Sequence, residues 1–277
     1  MIRLLFIGDI VGKPGRELVR RGLAPIVAQH RIDLVIANVE NSAAGFGVTP
    51  DIADDFLHYG VHVMTGGNHT WDKKEILPYF DEQPRLLRPA NFPAGAPGRG
   101  TYVAKTSGGV PVAVINAMGR VFMTAIDDPF RVIETEMAAV RDQARVIFVD
   151  FHAEATSEKV AMGWHLDGRA TAVVGTHTHV QTADERILPK GTAYITDVGM
   201  TGPHDSVIGV DKSAILARFL TGRPQRFETA TENPRLNAVI VTADEATGRA
   251  QSIERLSLSA QKIETLAAQP AAAPAPR

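Results

Sequence analysis

The chain has 277 residues, 44% of them hydrophobic and 22% charged, with 24 Gly and 17 Pro, proportions that exclude collagenous, coiled-coil and wholly disordered organisations. Twenty-nine Lys and Arg against 31 Asp and Glu leave a net charge of −2, which argues against a large footprint for polymeric nucleic acid. With no cysteine in the chain, disulfides, thiolate metal sites and cysteine nucleophiles are excluded, and any metal must be held by His, Asp, Glu or Asn.

Arg3 to Gly8 reads as a buried strand, and its apolar run is too short for a signal-peptide core. Pro14 to His30 predicts a helix with a proline in its first turn. Asp33 to Val39 is a second strand, Pro50 to Tyr59 a second helix and Val61 to Thr65 a third strand. The Pro- and Gly-rich span from Asn91 to Gly109 reads as surface loops around a short strand. Later strands are expected at Val110 to Ile115, Arg145 to Asp150, Ala172 to Gly175, Ala193 to Thr196 and Leu236 to Val241, with a helix from Asp205 to Phe219 between the last two. A final strand is expected over Glu254 to Leu258. From Leu266 onward the Ala- and Pro-rich sequence predicts a disordered tail, so residues 1–265 are expected to form the domain and 266–277 the tail. The alternation predicts a layered α/β fold. Nothing approaches the roughly 18 apolar residues of a membrane span, and a cytoplasmic protein is expected.

Polar residues gather where the strands end, the edge at which ligands bind in open α/β sheets. Gly8-Asp9, Glu40-Asn41, Gly67-Asn68-His69, His152 with Glu154, and Gly175-Thr176-His177-Thr178-His179 all share this position. The Gly-rich opening is not a phosphate loop, because Gly8 to Lys13 is one residue short and Pro14 stands where a magnesium-binding Ser or Thr belongs. Taken singly, each residue also has a structural role open to it: Asp9 as a helix cap, Glu40-Asn41 as a turn pair, Asn68 as a left-handed turn residue. His177 and His179 are two apart, which in extended backbone places both imidazoles on one side, where two metals could each take one. Five strand ends carrying carboxylates, amides and imidazoles together point to a metal site at one edge of a sheet.

In this order, Gly8-Asp9, Gly67-Asn68-His69, His152 and Gly175-Thr176-His177-Thr178-His179 resemble the motifs of calcineurin-like metallophosphoesterases. Two departures mark a branch. Val11 stands where the first strand usually delivers a His, and Asn38-Val39-Glu40-Asn41 replaces the usual second-strand G-D-x-x-D. With Ser42 to Gly47 and Asp197 to Ser206, these departures resemble the bacterial YmdB-type branch over nearly the whole chain.

The resemblance implies a four-layered α/β/β/α sandwich, a dinuclear metal centre, and hydrolysis of phosphodiesters including 2',3'-cyclic nucleotides. It assigns Asp9, Glu40, Asn41 and His179 to one metal and Glu40, Asn68, His152 and His177 to the other, with Glu40 as the bridge. Two nearby cations need a shared anion to offset their repulsion, and their residual positive charge matches a phosphodiester monoanion. Metal-activated hydroxide is the expected nucleophile. His69, beside a ligand but not itself one, is the expected general acid. Nitrogen and oxygen ligands without sulfur suit iron, manganese or zinc, and the resemblance favours iron or manganese. Phe46 and Trp71 are candidates to stack on a base, and Thr201 and His204 to face the substrate. The expected partner is a small nucleotide or phosphodiester, with no membrane and with homo-oligomer formation left open. Rival readings are a phosphomonoesterase and a metal-containing nucleotide-binding regulatory protein with incidental turnover.

Overall fold

The computed structural model describes residues 1–268. In chain order the elements are β1 (Ile2–Ile7), α1 (Gly12–His30), β2 (Leu34–Asn38), α2 (Pro50–Tyr59), β3 (Val63–Thr65), α3 (Ile76–Glu82), β4 (Thr101–Lys105), β5 (Pro111–Met118), α4 (Pro129–Val140), β6 (Val146–His152), α5 (Thr156–His165), β7 (Ala172–Thr176), β8 (Arg186–Ile187), β9 (Ala193–Ile195), β10 (Gly202–Pro203), α6 (Lys212–Thr221), β11 (Pro234–Ala243), β12 (Ala250–Ser259) and α7 (Ala260–Ala267). The strands form two six-stranded sheets, one in the order β10-β11-β1-β2-β3 with β12 paired to β11, the other in the order β4-β5-β6-β7-β9-β8.

In the first sheet β1, β2 and β3 run parallel, as do β5, β6, β7 and β9 in the second. Antiparallel pairing is confined to β10, β11 and β12 in the first sheet and to β4 and β8 in the second. Parallel strands deliver their C-terminal ends to one edge, so the turns that open after β1, β2 and β3, and those after β6 and β7, can meet. That topology positions the site.

Strand β1 shows why the N-terminal run is apolar without alternation. Successive side chains leave a strand on opposite faces, and both faces here are buried. Leu4 and Phe6 face a core shared with Val114, Phe148 and Val174 of the second sheet, where the rings of Phe6 and Phe148 stack with centroids 5.3 Å apart. Leu5 and Ile7 face outward, against Leu18 and Leu23 of α1, Phe56 of α2 and Ile263 of α7. On the far side, Ile115 and Val149 pack on Ile133 and Met137 of α4 and Met162 of α5. The four layers are therefore helices, sheet, sheet, helices. Each large apolar side chain buried in these layers contributes about 1.5–3 kcal/mol, more than any exposed ion pair.

The helix signals read from the sequence act as capping chemistry predicts. In α2, Thr49 accepts the N–H of Ile52, Pro50 opens the first turn, and Gly60 closes the helix with a left-handed φ of 105°. The helix expected from Asp205 begins only at Lys212, capped by the Asp211 carboxylate. The reason is local: Ile208 and Gly209 have φ of 47° and 99°, and left-handed backbone cannot continue a helix. The span Asn91 to Gly109 does hold the short strand β4, but Asn91 is fully buried and donates to the carbonyls of Met118 and Asp127. The expected tail starts inside α7, where Leu266 packs against the outer core. Its remainder, 269–277, lies outside the described residues. Among the described residues no helix is long and apolar enough to cross a membrane.

Candidate metal centre and cleft

The edge where the parallel strands end brings Asp9, Glu40, Asn41, Asn68, His152, His177 and His179 together. The centre of one group is Nε2 of His152, which lies 3.1 Å from Glu40 Oε1, 2.9 Å from Asn68 Oδ1 and 3.1 Å from His177 Nδ1. Among the described residues, Glu40, His152 and His177 place ligand atoms within 4.8 Å of one another. The second group is joined through Asn41, whose amide lies 3.1 Å from Glu40 Oε1 and 3.2 Å from His179 Nε2. Asp9 completes it, accepting the backbone N–H of His177 on Oδ2 at 3.2 Å. Its other oxygen, Oδ1, is buried and makes no hydrogen bond among the described residues, with Nδ1 of His152 beyond hydrogen-bond reach at 3.7 Å. A buried carboxylate oxygen left bare is costly, and a cation is the partner that would remove the cost.

Each imidazole is held by the nitrogen that does not face the cluster, which sets its orientation. The Thr176 hydroxyl donates to Asp150 Oδ1 at 2.7 Å and accepts from Nδ1–H of His152 at 2.9 Å. Nε2–H of His177 meets the Glu154 carboxylate at 3.0 Å. Nδ1–H of His179 donates to the Ile208 carbonyl at 2.8 Å. His152 Nε2, His177 Nδ1 and His179 Nε2 therefore face inward. Both His177 and His179 adopt positive φ, 98° and 65°, conformations that persist at functional sites because the surroundings impose them.

Two buried supports lie behind this arrangement. Asp150 accepts from Asn38, Thr65 and Thr176, tying β2, β3 and β7 to the strand that carries His152. The fully buried pair Lys159–Asp197, 2.7 Å apart, holds the histidine loop, since Asp197 Oδ2 also accepts the backbone N–H and hydroxyl of Thr178. Close approach is possible at the third strand only because Gly67 lacks a side chain. A Cβ there would meet Glu40 Oε2 at 2.3 Å and His152 Nε2 at 2.4 Å.

Electrostatics follow the geometry. Burial raises the Glu40 carboxyl, but His152 beside it outweighs burial and holds it at about 2. Burial lowers His152, yet the Glu40 carboxylate carries it up to about 9. His177 is pushed down to about 3 by burial and by the positive His152, so its ring is neutral and able to bind a cation. Burial likewise raises Asp9, opposed by His179 and His152, and pushes Asp150 up to about 6.

A cleft opens over the cluster, and its lining includes Glu40, Asn41, His69, His177 and His179. His69 is no member of the inward set. Its Nδ1 pairs with Asp72 Oδ2 at 2.8 Å, its ring packs edge-on against Phe46 at 4.9 Å, and its backbone N–H donates to Glu40 Oε2 at 3.0 Å. Nε2 is thus the nitrogen left for the cleft.

Three expected substrate contacts do not line this cleft. Trp71 packs edge-on between Phe80 and Phe92 at 5.3 and 5.2 Å, as a core aromatic does. Thr201 is fully buried, its hydroxyl exchanging hydrogen bonds with the backbone of Asn237. His204 binds the Gly202 carbonyl and the Asn237 amide and borders a neighbouring groove. Asp150, Lys159 and Asp197 as supports, and Val210 and Phe227 in the cleft lining, are not among the residues the motifs single out for the site. Asp197 lies in a segment already singled out; nothing local marks the others.

Two layered sheets between helices, with a carboxylate, amide and imidazole cluster at their shared edge, define a hydrolase of the metallophosphoesterase type. The pattern of the YmdB-like protein family matches residues 5–256. A 2',3'-cyclic-nucleotide 2'-phosphodiesterase of Bacillus subtilis (strain 168) is 51% identical over 258 residues, covering 93% of this chain and 97% of that protein. Two solved structures superimpose with a TM-score of 0.87: a hypothetical protein from Thermus thermophilus, 43% identical, covering 93% of this chain and 99% of its own, and a phosphatase from Mycoplasma pneumoniae, 35% identical, covering 93% of each. The chain belongs to the YmdB-like family.

Proposed function

We propose that this enzyme is a dinuclear metal-dependent phosphodiesterase acting on small nucleotides, 2',3'-cyclic nucleotides foremost, in the cytoplasm. The observation that carries the reading is the convergence of Glu40, Asn68 and His177 on Nε2 of His152, beside the bare buried oxygen of Asp9. The residues fit the metals. Asp9, Asn41 and His179 would hold one ion, Asn68, His152 and His177 the other, and Glu40 both, with the Asn41 amide flipped to present its oxygen. Donors of nitrogen and oxygen alone suit iron or manganese. The chemistry supplied by ions bound there is charge neutralisation at the phosphoryl oxygens and acidification of water.

The chain's own residues supply the rest. Glu154, Thr176 and the Ile208 carbonyl keep the three imidazoles aimed inward. His69, oriented by Asp72, presents Nε2 to donate a proton to the leaving ribose oxygen. The name of the Bacillus relative supports the diester and cyclic-nucleotide assignment.

Small substrates are favoured because, among the described residues, those lining the cleft include no Lys or Arg. Of the two adjacent basic pairs, Arg20-Arg21 is already engaged by Glu17 and Glu264, and Lys73-Lys74 follows the third strand without joining the cleft lining. Metal-loaded enzyme should therefore hydrolyse 2',3'-cyclic AMP faster per phosphodiester than long RNA or duplex DNA. Raising salt from about 50 to about 200 mM should weaken small-substrate binding far less than the roughly thousandfold typical of a multi-phosphate contact. Faster polymer cleavage with a steep salt slope would make the enzyme a nuclease instead.

A further inference from the structure

A phosphodiester and its ribose need the polar lining of the cleft, but the lining also holds apolar side chains. Val11, Phe46, Ile208, Val210 and Phe227 supply them, with Glu228 and Thr229 beside Phe227, and neither phosphate nor sugar has any use for such an apolar wall. We infer that this wall is a nucleobase subsite, with Phe227 and Val210 as specificity-determining residues. The inference rests on the phosphodiesterase reading above and adds to it the part of the substrate recognised away from the reacting atoms.

The wall is built, not incidental. Val210 forms an antiparallel bridge with Thr229 and another with Val207. The N–H of Asp211 donates to the Glu228 carbonyl and that of Ala230 to the Gly209 carbonyl, both at 2.9 Å. These bonds lock the segments carrying Val210 and Phe227 to each other. The Arg218 guanidinium lies 5.1 Å from the centroid of the Phe227 ring and braces it.

The same wall is tied to the reacting centre. The carbonyl of Ile208 accepts Nδ1–H of His179 at 2.8 Å, so the spacing between the apolar side and the inward imidazoles is set by a direct hydrogen bond. Phe46 spans the boundary, touching the His69 ring while facing the cleft. A flat aromatic ligand attached to the ribose fills such a wall by stacking, which is tolerant of base identity because every base has a π face. The expected recognition is therefore of a base as such, with modest discrimination among bases.

The test compares 2',3'-cyclic AMP with methyl β-D-ribofuranoside 2,3-cyclic phosphate, which keeps the reacting group and lacks the base. Wild-type metal-loaded enzyme should show a kcat/KM about tenfold or more higher for the nucleotide, the scale of one base–aromatic stack. In Phe227→Ala that ratio should fall about tenfold, while Phe227→Trp should keep it. A wild-type ratio near one overturns the subsite, and so does a Phe227→Ala ratio equal to the wild type's. Should Phe227→Ala fail to fold, the wild-type ratio alone decides. Wild-type enzyme inactive on both substrates would overturn the phosphodiesterase reading and the subsite with it, whereas activity on both without base preference removes only the subsite.

Discussion

Replacing Glu40 by Gln should abolish turnover and loosen at least one metal while leaving the fold intact. The buried carboxylate stands against Nε2 of His152 and the Asn41 amide on Oε1 and accepts the His69 backbone N–H on Oε2. Glutamine matches its volume but not its chemistry. One end would become an NH2 group that must face a donor, and the negative charge between two proposed cations would be lost. Removing a partner that only supports a ligand costs about 10- to 100-fold in metal affinity or activity, so losing the shared ligand should cost more. Metal analysis by mass spectrometry and hydrolysis of 2',3'-cyclic AMP check this, with circular dichroism reporting the fold. Wild-type metal content and activity in Glu40→Gln would remove Glu40 from the proposed bridging role.

His69→Ala should keep both metals and lose most activity, by roughly a hundredfold or more for a general acid. The separation is clean because the link from position 69 to Glu40 runs through the backbone N–H, which the substitution preserves. What disappears is the imidazole oriented by Asp72. Parallel loss of metal and activity would instead make His69 a ligand. A leaving group that needs no proton should shrink the defect, because only the proton-donating step has been removed.

How much of this is legible in the sequence depends on the range of the interaction. Strand-end positions are local facts, so Asp9, Glu40, Asn68, His152, His177 and His179 can be read from short motifs, and parallel topology then brings them to one edge. The supports cannot. Lys159 reaches Asp197 from a helix 38 residues away, and Thr65 reaches Asp150 across 85 residues. A lysine on a helix ordinarily faces solvent, and only the fold shows this one buried. Thr201 and His204 escape a sequence reading for the same reason: their partner Asn237 belongs to β11, distant in sequence. Trp71 reads as a stacking residue because it follows the G-N-H motif, but Phe80 and Phe92 hold it in a packed cluster. The helix expected from Asp205 fails where Ile208 turns left-handed, and that turn is what lets its carbonyl reach His179.

Gly67 shows the reverse case, a residue whose meaning is half legible. Its place before Asn68-His69 marks a motif, but the reason for glycine is the 2.3 Å that a Cβ would leave to Glu40 Oε2. The backbone itself must come this close for the His69 N–H to reach Glu40 Oε2 and for Asn68 to reach Nε2 of His152.

The most direct test of the proposed dinuclear centre is anomalous diffraction from crystals of enzyme purified without added metal, collected on both sides of the iron and manganese absorption edges. Two peaks that share Glu40 are expected, one flanked by Asp9, Asn41 and His179 and the other by Asn68, His152 and His177. A single peak, or two peaks that do not share Glu40, would contradict the proposed centre.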